Sequence, residues 1–131
     1  MRKTAQCLQA VVLFFGFFAA LHVWASPVPG DELISLAISS RKPVIADFGL
    51  GFCRQCKTQA ATLKEIRETY GDKVIVRMVN VVKETDLRKR YEVEWIPTLV
   101  FIDPKGKVVL KKVGPLGLEE IRGQLSRMGV E

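Results

Sequence analysis

The sequence has few of the residue types on which most enzyme chemistry depends. Its 131 residues include one histidine, three cysteines and only 8% aromatic residues. Its apolar runs are short as well: the stretch from Val11 to Leu21 covers eleven residues, whereas about 20 are needed to span a bilayer. The length allows one domain, and 26% charged residues is ordinary for a soluble protein. These values exclude a polytopic membrane protein and a disordered tail. Because the excess basic residues are scattered, they also argue against nucleic-acid binding.

The first 25 residues have the layout of a secretory signal peptide. Arg2 and Lys3 give a positive start, the apolar run follows, and Val23 to Ala25 places small residues at the two positions that signal peptidase reads. We therefore expect residues 1–25 to be a cleaved signal and residues 26–131 to form one periplasmic domain. The alternative is an uncleaved signal that anchors the domain to the membrane.

Removal of this segment would leave a domain without histidine. The formal net charge falls from +6 to +4 because Arg2 and Lys3 leave, and only Cys53 and Cys56 remain of the cysteines. Without histidine there is no Ser–His or Cys–His nucleophile and no histidine-ligated metal. Two cysteines cannot complete a four-thiolate zinc site. We therefore expect neither a metal nor a cofactor.

Apolar periodicity and turn residues predict eight elements in this domain. Helices are expected at 31–40, 53–70, 84–91 and from Leu118 to Met128, and strands at 43–50, 74–81, 98–102 and 107–113. The strand at 74–81 is expected to be buried, Thr85 to cap the third helix, and a Pro-x-Gly turn to join the last two strands as a hairpin. The leading β-α-β unit favours parallel strands and the hairpin antiparallel ones. The result is a small mixed α/β sheet with helices on both faces.

Cys53 and Cys56 lie at the junction of the first strand and the longest helix. A thiolate on Cys53 would face the free N–H groups and the positive end of the helix dipole, which stabilise it as a nucleophile. Arg54 adds a cation beside it and should lower the pKa of the thiol. The alternatives are a structural disulfide or half of a metal site. A structural bridge over so short a loop would remove little chain entropy, so the pair favours redox chemistry.

Four segments in register make the chain resemble the thioredoxin family over about residues 41–128. They are Pro43 to Phe48, with Asp47 six residues before the first cysteine; Cys53 to Lys57; Ile96 to Thr98; and Val113 to Pro115. The resemblance implies a thioredoxin fold, in which a mixed four-stranded sheet with a β-α-β-α-β-β-α core has helices on both faces.

The resemblance also implies a role for each matching residue. Cys53 would be the nucleophile and Cys56 the resolving thiol. Asp47 would accept the proton of Cys56, with a pKa raised by burial on its strand. The substrate-binding residues would be Phe52, Trp95, Ile96, Pro97 in a cis peptide bond, and Gly114. Trp95 would form a roof over the cysteines.

The chain departs from the family pattern at several positions. Phe52 stands where the family usually has tryptophan, Arg54-Gln55 where it has Gly-Pro, and Ala61 where a proline commonly kinks the helix. The lysine often paired with the buried aspartate is replaced by Arg77 or Met78. The family's first strand is missing or very short. These departures leave the client and the redox potential open.

We expect dithiol–disulfide exchange in the periplasm, and specifically the reduction of disulfides in exported proteins. The protein would act as a monomer, and a membrane electron donor would re-reduce it.

Two alternatives stay open: a disulfide oxidant or isomerase, and a Cu(I) carrier that uses both cysteines as ligands. No methionine is expected near the cysteine pair, which disfavours copper, and Ile96 before Pro97 resembles reducing members of the family. The expected potential is roughly −270 to −210 mV.

Overall fold

The computed structural model describes residues 30–131, and the predicted signal segment 1–25 lies outside them. Four helices are present in this part of the chain: α1 (Glu32–Ser40), α2 (Arg54–Tyr70), α3 (Thr85–Arg90) and α4 (Leu118–Arg127). The four strands are β1 (Val44–Gly49), β2 (Ile75–Asn80), β3 (Thr98–Ile102) and β4 (Val108–Val113), and a 3-10 turn, Gly71–Lys73, follows α2. The predicted order is confirmed. None of the helices within residues 30–131 has the length and apolarity to cross a membrane.

The sheet is mixed, as predicted, with the strand order β2-β1-β3-β4. β1 pairs in parallel with β2 and antiparallel with β3, and β3 pairs antiparallel with β4. Because Phe48 pairs with Thr98 and Thr98 with Val113, the next residues outward are Gly49, Pro97 and Gly114. The ends of β1 and β4 and the start of β3 therefore lie side by side at one edge of the sheet, and the cysteine motif follows β1 there.

Apolar side chains cover both faces of β1, and each face has its own core. One core packs under α1 and α3 and contains Leu33, Ala37, Val44, Ala46, Phe48, Leu87, Tyr91 and Val100. The other packs under α2 and α4 and contains Ile45, Leu63, Ile66, Leu99, Phe101, Ile121 and Leu125. Burying each large apolar side chain contributes about 1.5–3 kcal/mol, so the two cores hold the strand ends in place.

Two local predictions are wrong. β2 is not a buried strand but an edge strand, with most of its residues only half-buried and Met78 41% exposed. No described strand pairs with its outer side, because the family's first strand has no counterpart in residues 30–131. In α3 the N-cap is Glu84 rather than Thr85. The Glu84 carboxylate accepts a hydrogen bond from the N–H of Asn80 at 2.8 Å instead of capping the helix.

Candidate active site

Cys53 is the N-cap residue of α2. Its backbone is extended, and its sulfur accepts a hydrogen bond from the N–H of Cys56 at 3.2 Å. The C=O of Cys53 already accepts the first bond of the helix, from the N–H of Lys57 at 3.1 Å. The sulfur is therefore held against the N–H groups of the first turn and the positive end of the helix dipole, which stabilise a thiolate there.

The two sulfurs of the motif differ in accessibility. They are joined as a disulfide across a Cα–Cα distance of 5.1 Å, within the usual range for such bonds. Cys53 is half-buried, whereas Cys56 is only 4% exposed. An incoming disulfide can therefore reach Cys53, while Cys56 lies behind it in the protein.

Gly49, at the end of β1, allows Cys56 to pack this deeply. A Cβ atom at position 49 would lie 3.2 Å from the sulfur of Cys56 and 3.3 Å from its Cβ, closer than most real Cβ contacts. Sequence reasoning did not single out this residue. The available signal was a glycine that ends an apolar strand four residues before the first cysteine.

Asp47 lies on β1 two residues before Gly49 and on the same face, about 7 Å away along the strand. It is fully buried, and neither carboxylate oxygen has a hydrogen-bond partner among the described residues. Burial raises the pKa of Asp47 from 3.8 to about 6. The structure therefore places a group that exchanges protons near neutral pH on the face where Cys56 packs.

The strand register identifies the residue beside Asp47 on β2 as Met78. Arg77, the other candidate for the position of the family's lysine, points its guanidinium away, to Glu32 at 2.8 Å and to Glu84. No cation in the described part of the chain forms an ion pair with Asp47. Its raised pKa therefore comes from burial, without an opposing positive charge.

An open cavity of about 350 Å³ lies behind the second cysteine. Gly49, Cys56, Lys57 and Met78 are among the residues that line it. The expectation that no methionine lies near the cysteine pair is therefore wrong. The β1–β2 register, which sequence reasoning did not use to place methionines, brings Met78 to this side of the site.

The loop before β3 occupies the other side of the strand ends. Its Ile96–Pro97 peptide bond is cis. The C=O of Pro97 accepts a hydrogen bond from the N–H of Gly114 at 2.8 Å, and the hydroxyl of Thr98 donates to the C=O of Trp95 at 2.6 Å. Gly114 has a φ of 88°, which glycine adopts without the steric cost of a side chain. These contacts fix the loop beside Gly49.

Two exposed aromatic side chains flank this region. Phe52, next to the nucleophile, is 81% exposed, and Trp95 is 71% exposed. Trp95 does not line the cavity behind Cys56; it lines a separate open cavity with Val113 and three charged residues. The structure thus places Phe52 beside Cys53, but it does not place Trp95 as a roof over the disulfide. Arg54, the first residue of α2, is exposed.

This arrangement is what dithiol–disulfide exchange requires. One sulfur is accessible and stabilised as a thiolate, the second is buried behind it, and a carboxyl able to take up a proton lies on the same face of the sheet. The domain is therefore a thiol–disulfide oxidoreductase. Among known protein families, the model of the Thioredoxin family matches residues 31–127. The chain therefore belongs to the thioredoxin family.

Individual relatives agree with this assignment. The chain is 32% identical over 96 residues to thioredoxin of Alicyclobacillus acidocaldarius subsp. acidocaldarius, a match that covers 73% of this chain and 90% of that protein. It is also 32% identical over 94 residues to thioredoxin of Acidithiobacillus ferridurans, covering 72% and 86% of the two chains. Among solved structures, chloroplastic thioredoxin z matches with a TM-score of 0.65 at 26% identity, covering 78% of this chain and 92% of that one.

Proposed function

We propose that this oxidoreductase works in the periplasm and reduces disulfides of exported proteins. The observation that carries the proposal is the difference between the two sulfurs: Cys53 is accessible at the start of α2, and Cys56 is buried behind it. Two sequence features support the location and the direction. Residues 1–25 have the layout of a secretory signal, and the motif contains no histidine that would add a second cation beside the thiolate.

The reaction has two exchange steps. The Cys53 thiolate attacks one sulfur of the client disulfide, a Cys53–client disulfide forms, and the other client sulfur leaves as a thiolate. Asp47 then takes the proton of Cys56, and the Cys56 thiolate attacks the sulfur of Cys53. The client sulfur that was bonded to Cys53 leaves as a thiolate with the electron pair of the broken bond. The client gains two electrons, and the protein is left with a Cys53–Cys56 disulfide.

Continued turnover needs a source of electrons, because the periplasm is oxidising. We propose that a membrane protein supplies them by dithiol exchange with the same Cys53–Cys56 disulfide. The protein would act as a monomer, and its partners would be protein disulfides and this donor, with no nucleic acid.

The central test is to trap the mixed disulfide. In Cys56→Ser the first exchange step can occur but the second cannot, so the client should stay linked to position 53. The matched variant Cys53→Ser should trap little, because Cys56 is only 4% exposed. Equal trapping by both variants, or trapping by Cys53→Ser alone, would overturn the assignment of nucleophile and resolving thiol.

The direction of electron flow has its own test. Equilibration of the protein with glutathione should give a potential of roughly −270 to −210 mV, on the reducing side. A value above about −150 mV would identify an oxidant and contradict the proposed reductase.

One observation favours a second candidate function, transport of Cu(I). Met78 lines the cavity beside Cys56, so a thioether lies on the same side of the site as a thiol, and Cu(I) prefers such soft ligands. If the protein carries copper, the reduced form should retain one Cu(I) through gel filtration, and Met78→Leu should weaken its binding. Turnover of a disulfide substrate without retained copper would exclude this candidate.

A further inference from the structure

An exposed tryptophan lies directly before the cis-proline loop. Trp95 lines an open cavity of about 510 Å³ together with Glu92, Glu94, Lys111 and Val113. Tryptophan rings in proteins are usually largely buried, because burial removes a large apolar area from water. Here the ring is 71% exposed, and Val113 beside it is 53% exposed. The cavity thus combines an open aromatic face and an aliphatic wall.

Along the chain, the cavity adjoins the cis-proline loop, the part of the site that a client would contact. Trp95 precedes Ile96, whose backbone N–H and C=O have no hydrogen-bond partner among the described residues. The loop ends opposite Gly49, where an added Cβ atom would lie 3.2 Å from the sulfur of Cys56. If an extended client segment pairs with the backbone of Ile96, a neighbouring client side chain would reach this cavity.

The charges of the cavity favour a cation. Glu92 and Glu94 are exposed, and neither carboxylate forms an ion pair within residues 30–131. The ammonium group of Lys111 donates to the C=O of Glu92 at 2.9 Å and is thereby tied to the backbone. With two carboxylates and one ammonium the cavity carries one net negative charge, and it also contains an indole ring, whose face attracts cations.

We propose that this cavity is a specificity subsite that binds a lysine or arginine side chain of the client, close in sequence to the client's reacting cysteine. The aliphatic part of that side chain would pack on Val113 and Trp95, and its charged end would lie between Glu92 and Glu94. This inference rests on the proposed function, because it deepens the choice of client at the same site.

The test uses peptides with one cysteine held in a disulfide with 2-mercaptoethanol. The peptides are identical except that one residue is arginine, methionine or glutamate, placed in turn at the first and second positions on each side of the cysteine. The second-order rate constant for reaction with the reduced protein is measured by acid quench and mass spectrometry. At one position at least, the arginine peptide should react about tenfold faster than the glutamate peptide at low salt. The ratio should fall at high salt.

Variants then locate the effect. Replacing both cavity carboxylates, Glu92→Gln with Glu94→Gln, should lower the arginine-to-glutamate ratio to about twofold or less. Trp95→Leu should lower the arginine-to-methionine ratio. The matched control Glu68→Gln removes one charge at the far end of α2 and should keep the full ratio.

The outcomes separate the subsite from the proposed function. A ratio near one at every position, or a ratio that the double variant does not change, overturns the subsite even if all peptides react. Preference for the methionine peptide over the arginine peptide overturns it too, because it indicates a purely apolar pocket. If no peptide reacts, including the methionine peptide, the proposed disulfide exchange fails and the subsite with it.

Discussion

The buried carboxyl of Asp47 should make the protein less stable as the pH rises through the mildly acidic range. Burial raises the pKa of this group from 3.8 to about 6, so the native state holds the proton more tightly than the unfolded state. The resulting stabilisation is complete below the unfolded value, falls as the pH rises, and levels off above the native value. A shift of about two units corresponds to about 3 kcal/mol of lost stability at neutral pH.

The substitution Asp47→Asn removes this titration. Because the amide is uncharged at every pH, the stability of the variant relative to the native protein should rise by about 2.5 kcal/mol between about pH 4 and pH 7.5. Urea unfolding of the disulfide form at both pH values measures the difference. Asp72→Asn is the matched control: its carboxylate is 92% exposed, and its effect should change by less than about 0.5 kcal/mol over the same range.

The comparison of the two variants can refute the reasoning. If the difference between Asp47→Asn and the native protein stays constant over this range, the carboxyl does not carry the cost of a buried charge. A difference that grows in the opposite direction would mean that a cation stabilises the charged form of Asp47, contrary to the absence of such a partner in the structure.

Two further substitutions test buried contacts, one at Cys56 and one between α2 and the segment before α4. Gly49→Ala places a methyl group 3.2 Å from the sulfur of Cys56, so we expect a loss of about 1–3 kcal/mol in urea unfolding and slower release of the mixed disulfide. Gly51→Ala, whose added Cβ meets nothing within 4 Å, is the control, and equal effects would contradict the close contact. Gln59→Leu removes the acceptor of the buried N–H of Leu116, a bond of 2.6 Å, and should cost about 1–3 kcal/mol. An unchanged urea midpoint would show that this bond contributes nothing.

The element order and the cysteine motif were predictable because both are local properties of the sequence. The 3.6-residue apolar period marks α2, the β-branched run marks β1, and the Pro-x-Gly turn marks the β3–β4 hairpin. The position of Cys53 follows from the same reasoning, because the motif falls where the strand pattern ends and the helix pattern begins. The sequence therefore predicts the reacting group and its dipole environment.

The features that the sequence did not predict depend on contacts between distant residues. Gln59 is polar and lies on a helix, so its pattern suggests exposure, yet it is 1% exposed and bonds to a residue 57 positions away. Met78 reaches the site through the β1–β2 register, which no local pattern fixes. The position of Trp95 in a separate cavity likewise depends on where the segment after α3 meets β4.

The open edge of β2 connects the main departure of the fold with the chemistry of the site. The N–H groups of Ile75 and Val81 donate to the C=O groups of Pro43 and Gly49. The backbone N–H and C=O groups of the alternate residues of β2 therefore point away from β1, where no described strand pairs with them. Three side chains bind those outward groups: Arg67 binds the C=O of Val76 at 3.2 Å, Arg77 binds the C=O of Met78, and Glu84 binds the N–H of Asn80 at 2.8 Å. Charged side chains on an edge oppose its pairing with a second chain, which supports the proposed monomer.

The same contacts hold the guanidinium of Arg77 at the edge of β2, so this guanidinium does not reach Asp47. The carboxyl of Asp47 thus forms no ion pair that would lower its pKa, and burial raises that pKa to about 6, which suits the proposed role of Asp47 as proton acceptor.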